Sequence, residues 1–166
     1  MCEEVVKLAG ITDYKVNKNP DLEEGDLAIL LSESKVEMDS IAIKLNTPKQ
    51  LFDSIKEISK LSGNELSDSD ILSFFSHYEL CLKYLDDHNN DIIKVKTYSN
   101  FLKDIVLNIG FEITDYDFYY FIYPDYLKDK VLESDKELIE IPSHNFVSKN
   151  PFERIEMRYS ILEKLI

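Results

Sequence analysis

The sequence predicts an α/β fold, a mostly parallel sheet of about four to six strands with helices on both faces. Three observations lead there. From Ile92 to Pro124 the chain reads strand, turn, amphipathic helix, glycine stop and second strand, which is one βαβ crossover. Leu27–Leu31 is an unbroken apolar run, the signature of a buried parallel strand more than of an alternating edge strand. Tyr116–Tyr123 is aromatic on both alternating sets, as a central strand covered above and below would be.

Taken in order, Glu3–Ala9 reads as a short helix closed by Gly10, and Tyr14–Val16 as a weak strand. A loop through Asn19–Asp26 precedes the Leu27 strand. Ile41–Leu45 is the next strand, with no helical segment before it. Thr47-Pro48-Lys49-Gln50 is a capping box with proline at the first helical position, and Leu51, Ile55, Ile58 and Leu61 form the stripe that follows. A longer helix is expected over 68–87, its buried stripe being Ile71, Phe75, Tyr78, Leu82 and Leu85, broken by Asp87–Asp91. In the crossover, Ser99 is the expected N-cap and its hydroxyl the acceptor for a first-turn amide. Leu102, Ile105, Val106 and Ile109 follow at helical spacing, and Gly110 sits where a left-handed residue is wanted. Asp125 opens a short helix through about Leu132, and Leu138–Ile141 is the last strand, stopped by Pro142. Asn150-Pro151-Phe152-Glu153 is the clearest helix start, and the helix carries Phe152, Ile155, Tyr159, Leu162 and Ile166, a stripe that either seals the core, the favoured reading, or meets a partner. The whole, 1–166, is read as a single α/β domain, with possible sub-lobes 1–63 and 92–166 joined by helix 68–87.

Composition and charge exclude several classes. The net charge of −13, from 32 acidic and 19 basic residues, repels phosphate backbones and anionic membranes, so neither nucleic acid nor membrane is expected as a partner. Two cysteines are too few for a disulfide scaffold, the N-terminus lacks the pattern of a signal peptide, and no apolar stretch is long enough to span a bilayer. A cytoplasmic protein is the simplest reading. Four glycines cannot build a dinucleotide fingerprint, and no P-loop, nucleophile elbow or zinc-peptidase histidine pair is present. No cofactor is expected.

Two constellations remain. On the helix expected over 68–87, His77, Cys81, Tyr84 and His88 share one stripe, and His77 with Cys81, one turn apart, could begin a transition-metal site. More weight falls on the alternative that Cys81 is a small buried apolar residue and the histidines line its rim. The second constellation is positional, because open α/β sheets bind ligands outside the carboxyl ends of their strands. Ser32, Glu33, Thr97, Ser99, Asn100, Asp125 and His144 fall there, a set suited to a small polar or carboxylated ligand. Caps and turns account for the same residues and weigh more. Cys2 is read as an exposed, incidental thiol.

The leading expectation is a non-catalytic accessory or binding protein acting through protein contacts, with a protein partner or a second copy bound at the C-terminal helix or the acidic surface. Catalysis is the less favoured reading: a small enzyme or ligand carrier using the strand-end cleft, with His144 as acid–base group and Ser99 or Thr97 as anion donors. A metal or metallocofactor carrier ranks third.

Overall fold

A computed structural model describes residues 1–86, 88, 93–131, 136–143 and 147–166. The chain divides into two compact units, Met1–Leu45 with Lys49–His77 and Asn46–Pro48 with Tyr78–Ile166. Every strand pairing among the described residues is parallel, and helices accompany both sheets, so the fold is α/β.

In the first unit, α1 (Cys2–Leu8) buries Val5 and Val6. β1 (Ala28–Leu31) pairs with β2 (Ser40–Ile43) in register from Ala28↔Ser40 to Leu31↔Ile43. Parallel neighbours ordinarily need a crossover of about a dozen residues or more. Here only 32–39 separates the two strands, without a helix. The length still suffices: returning past a four-residue strand takes roughly 13 Å, about half the extended reach of that connection. Asp21 anchors its far end, Oδ1 accepting from the amides of Glu37 (2.9 Å) and Met38 (3.1 Å). α2 (Pro48–Ser59) then buries Leu51, Ile55 and Ile58 completely. α3 (Asp68–Phe75) begins at a full capping box, Ser67 and Asp70 each bonding the other's amide, and Phe75 packs 6.2 Å from Phe52 of α2.

The second unit contains α4 (Glu79–Lys83), β3 (Lys94–Lys96), α5 (Asn100–Ile109), β4 (Glu112–Ile113), β5 (Tyr120–Pro124), β6 (Glu137–Ile141) and α6 (Pro151–Leu162). Its sheet runs β4-β3-β5-β6. β3, α5 and β4 are the crossover, and Gly110 ends the helix at φ 97, a conformation a Cβ would strain. The chain then passes from β4 across β3 to β5 through 114–119. Lys94 and Lys96 hold this connection by ion pairs to Asp117 (3.5 Å) and Asp115 (3.6 Å). Alternation and register put Val95, Ile122 and Ile141, all fully buried, on one face with the α5 stripe. Lys94, Lys96, Phe121, Tyr123 and Glu140 lie on the other, bordered by the connection and by the 3-10 turn Asp125–Lys130, whose Lys128 pairs with Glu140 at 3.0 Å.

Four expectations are corrected. The helix expected over 68–87 is two helices, because Ser76 ends α3 and Tyr78 is extended (φ −125, ψ 92). There the Tyr78 ring stacks on Phe152 at 4.8 Å and its hydroxyl accepts from Asn150 Nδ2 at 3.1 Å, contacts made far along the chain that outweigh the helical period. The strand expected from Tyr116 starts at Tyr120: Asp117 has φ 55, Thr114 Oγ1 bonds both the amide and the carbonyl of Tyr116, and Tyr116 is 84% exposed. β5 does lie between β3 and β6, but it is not covered by helices above and below as expected: α5 packs on the face of Val95 and Ile122, while the opposite face is bordered by the 114–119 connection and the 3-10 turn. Tyr14–Val16 is irregular, with Lys15 turned to Glu23 at 3.4 Å. The C-terminal stripe, by contrast, follows the favoured reading that it seals the core: Phe152, Ile155, Tyr159 and Leu162 are buried and only its tail at Ile166 is exposed, so α6 offers no broad apolar face to a partner. Ile92, most of the expected break at 87–91, and Leu132 lie outside the described residues.

Candidate functional site

The carboxyl ends of β3, β5 and β6 collect the second unit's polar residues. Thr97, just past β3, is 4% exposed, and its Oγ1 has no hydrogen-bond partner among the described residues. A buried hydroxyl left unpaired costs about 1–3 kcal/mol. Ser99 occupies the N-cap of α5 but makes no side-chain cap bond, so the amide bond expected of its hydroxyl is absent. Asn100 is the first helical residue and is exposed. Past β5, Asp125 Oδ1 accepts from the Tyr126 amide at 2.9 Å and from the buried Ser143 hydroxyl beyond β6.

Two residues that the sequence reading passed over dominate these strand ends. Asn150 caps α6, its Oδ1 accepting from the Phe152 amide at 2.9 Å, and one face of that helix presents Arg154 and Arg158, both buried. Arg154 Nε and Nη2 donate to Ser148 O at 3.2 and 3.1 Å, and Nη1 to Ser143 O at 3.4 Å. Arg158 Nε and Nη2 donate, each at 3.0 Å, to the carbonyls of Pro142 and Ser143. The Arg158 guanidinium also lies 4.8 Å from the centroid of Phe101, in the first turn of α5. Burial first, then the neighbouring Arg154, push the Arg158 guanidinium down to about 10, with Asp125 pulling the other way. The signal in the sequence was their i, i+4 spacing beside Ile155 and Tyr159, which sets both on the buried side of the helix.

The remaining expected positions fall elsewhere. Ser32 and Glu33 are exposed at the end of β1 in the first unit, where the Ser32 amide donates to Ile43 O at 3.0 Å. His144 lies outside the described residues. His77 is exposed at the end of the first unit, whereas Cys81 is buried in the second. The break at Ser76–Tyr78 removes the continuous helix that put them one turn apart. The Cys81 amide donates to Glu156 Oε1 at 2.7 Å and its thiol reaches Phe152 O at 3.7 Å. Burial, with Glu156 adding to it, raises the Cys81 thiol far above the usual cysteine range, which disfavours the thiolate a metal needs. Tyr84 is fully buried, donates to Glu163 Oε1 at 2.8 Å and lies 4.7 Å from the His88 ring. Among the described residues no group of three or more His, Cys, Asp or Glu could hold a metal ion. Cys2 is half-buried where an exposed thiol was expected, and burial raises its pKa too.

A second feature lies on the face of the sheet opposite α5. Phe121 there touches Tyr98 (5.6 Å), Phe118 (6.5 Å) and Tyr123 (6.1 Å). Lys96 stands over the rings of Tyr98 and Phe118 at 5.1 and 5.4 Å, and Lys136 over Phe118 at 5.9 Å. Tyr98 is 62% exposed, and Tyr119 in the adjoining connection is 56% exposed. This is an aromatic patch carrying lysines on a chain whose net charge is −13.

The fold and these two features define a parallel α/β protein with buried arginines at its strand ends and an open aromatic face. In comparisons with known proteins the chain matches no family model, no curated protein and no solved structure. No helix among the described residues is long and apolar enough to cross a membrane.

Proposed function

We propose that this chain is a non-catalytic cytosolic accessory protein that binds a protein partner through the aromatic–lysine face of its four-stranded sheet. The observation that carries this reading is the cluster of Tyr98, Phe118 and Phe121 under Lys96 and Lys136. Tyrosine and phenylalanine are the residues that protein interfaces concentrate, whereas a solvated sheet face favours small polar ones. Charge narrows the partner. Lys94 and Lys96, paired only loosely with Asp117 and Asp115 at 3.5 and 3.6 Å, and Lys136 over Phe118 give this face of an acidic chain cations that an acidic surface can engage. The matching surface is an apolar protein patch with an acidic rim, whose carboxylates replace Asp115 and Asp117 beside the lysines. Two unpaired cysteines, Cys2 and Cys81, agree with a reducing compartment.

The test is site-specific photo-crosslinking in the native extract, with the photoreactive residue placed at Tyr116, in the connection that borders the patch, or at Val16 in the first unit as control; both are well exposed. The expected result is one discrete adduct from the Tyr116 position only, lost when Lys96→Glu is added and identified as an acidic-rimmed protein. Equal adducts from both positions, no adduct, or an adduct indifferent to Lys96→Glu refutes the reading. An adduct of twice the chain mass replaces the foreign partner by a second copy and refutes the charge argument.

A further inference from the structure

We propose that the N-terminus of α5, with Thr97 and Arg158, is a binding site for a small oxyanion, presented as a phosphate monoester or a carboxylate. This site is separate from the aromatic face and does not depend on it.

Three independent observations meet there. The first is the helix end itself. α5 runs for 10 residues, yet its N-cap Ser99 gives no side-chain oxygen to the opening amides, those of Asn100, Phe101 and Leu102. A helix N-terminus without a cap presents donors and a positive partial charge to whatever approaches. The second is Thr97, two residues before the cap. It follows Val95 at strand spacing, so its side chain is set on the α5 side of the sheet, where its hydroxyl is buried with no partner among the described residues. A threonine kept at such a cost, where valine would fill the same volume, is explained by an acceptor that arrives with a ligand. The third is Arg158. Two of its nitrogens are fixed on the carbonyls beyond β6, which orients the fork, and its Nη1 makes no bond among the described residues. The same guanidinium lies over Phe101 in the first turn of α5, so the cation belongs to the helix end that lacks a cap.

The surrounding charge favours an anion. Arg154 is the second cation, buried on the next turn of α6 and engaged only with carbonyls. The acids close by are committed: Asp125 holds the Ser143 hydroxyl and the Tyr126 amide, and Asp104 accepts from Asn46 Nδ2 at 3.0 Å. Desolvation of Arg158 beyond what Asp125 compensates agrees with a missing counter-charge. The donors are amides, a hydroxyl and one fork of an arginine, all suited to tetrahedral or planar oxygens.

The experiment titrates the full chain with inorganic phosphate and, separately, with acetate at constant ionic strength, with chloride as control, following backbone amide resonances. Saturable shifts centred on Asn100, Phe101 and Leu102, with a dissociation constant in the millimolar range or tighter, are expected for at least one anion. Saturation by phosphate assigns the phosphoryl group, by acetate the carboxylate, and by both an unselective oxyanion site. Thr97→Val should weaken that binding about tenfold while leaving the melting temperature equal or higher, because it removes an orphaned hydroxyl. Arg158→Lys, which keeps the charge and loses the fork, should weaken phosphate more than acetate. Shifts that fail to saturate, that spread over surface lysines, or that Thr97→Val leaves unchanged overturn the proposal.

Discussion

The interruption between α3 and α4 makes the sharpest prediction, because one of the two side chains that hold Tyr78 there also caps α6. Asn150 does two jobs: its Oδ1 caps α6, accepting from Phe152 at 2.9 Å, and its Nδ2 donates to the Tyr78 hydroxyl at 3.1 Å. Removing an N-cap costs about 1 kcal/mol, and removing a half-buried neutral hydrogen bond costs about 1 kcal/mol more. Asn150→Ala should therefore lose about 2 kcal/mol, and Tyr78→Phe about half of that. In urea, with a slope of about 2 kcal/mol/M, the alanine variant's midpoint falls by roughly 1 M and that of Tyr78→Phe by roughly 0.5 M. The double variant separates the jobs. It should cost no more than Asn150→Ala alone, a coupling of about 1 kcal/mol. Asn150→Asp keeps the cap, and the Tyr78 hydroxyl can turn to donate to the new carboxylate, so it should cost less than Tyr78→Phe, helped by its charge at the helix N-terminus. The assay is urea unfolding followed by tyrosine fluorescence, since the chain has no tryptophan. Additive losses in the double variant would refute the reasoning, because Tyr78 would then leave the helix for a reason unrelated to Asn150.

Two further outcomes follow from other sites. Gly110→Ala forces a Cβ into φ 97 and should lower stability by about 1–2 kcal/mol, measured by the same unfolding assay; an unchanged midpoint would mean the helix end adjusts. Lys83, and Tyr84 after it, hold the Glu163 carboxyl below its ordinary 4.5 against partial burial. A depressed carboxyl stabilises above its unfolded value and loses that contribution as pH falls through the lower native one. The stability gap between wild type and Glu163→Gln should thus be under about 1 kcal/mol near neutrality, the lysine being half-exposed, and narrow as pH falls below the carboxyl's ordinary 4.5. A gap that fails to narrow in acid contradicts this.

Much of the fold was legible because its signals are local. Asn150-Pro151 and Gly110 punctuate helices through bonds made within a few residues, and the Leu27–Leu31 run does yield a strand, although it starts at Ala28, its burial alternates and Leu27 is 39% exposed. The losses are the places where distant residues decide. Helical periodicity runs unbroken through Ser76–Tyr78, and only the ring of Phe152 and the amide of Asn150 pull Tyr78 out. β4 is two residues long and has no alternation to read. At the candidate site the same division holds. Hydroxyls at strand ends were visible as positions, but whether Thr97 has a partner depends on packing. Arg154 and Arg158 drew no notice as sequence, and only in the fold do carbonyls of Pro142, Ser143 and Ser148 surround them. Arginine burial is a tertiary fact with only a weak trace in spacing.

The short link between β1 and β2 has a kinetic meaning. Parallel sheets are slow to form because partner strands lie far apart along the chain, and closing the intervening loop must precede any gain. Here the paired residues are separated by 12 positions in β1–β2, 18 in β3–β4, 25 in β3–β5 and 17 in β5–β6. Among the described residues no ladder waits for a remote segment, so each pairing can form soon after its second strand leaves the ribosome.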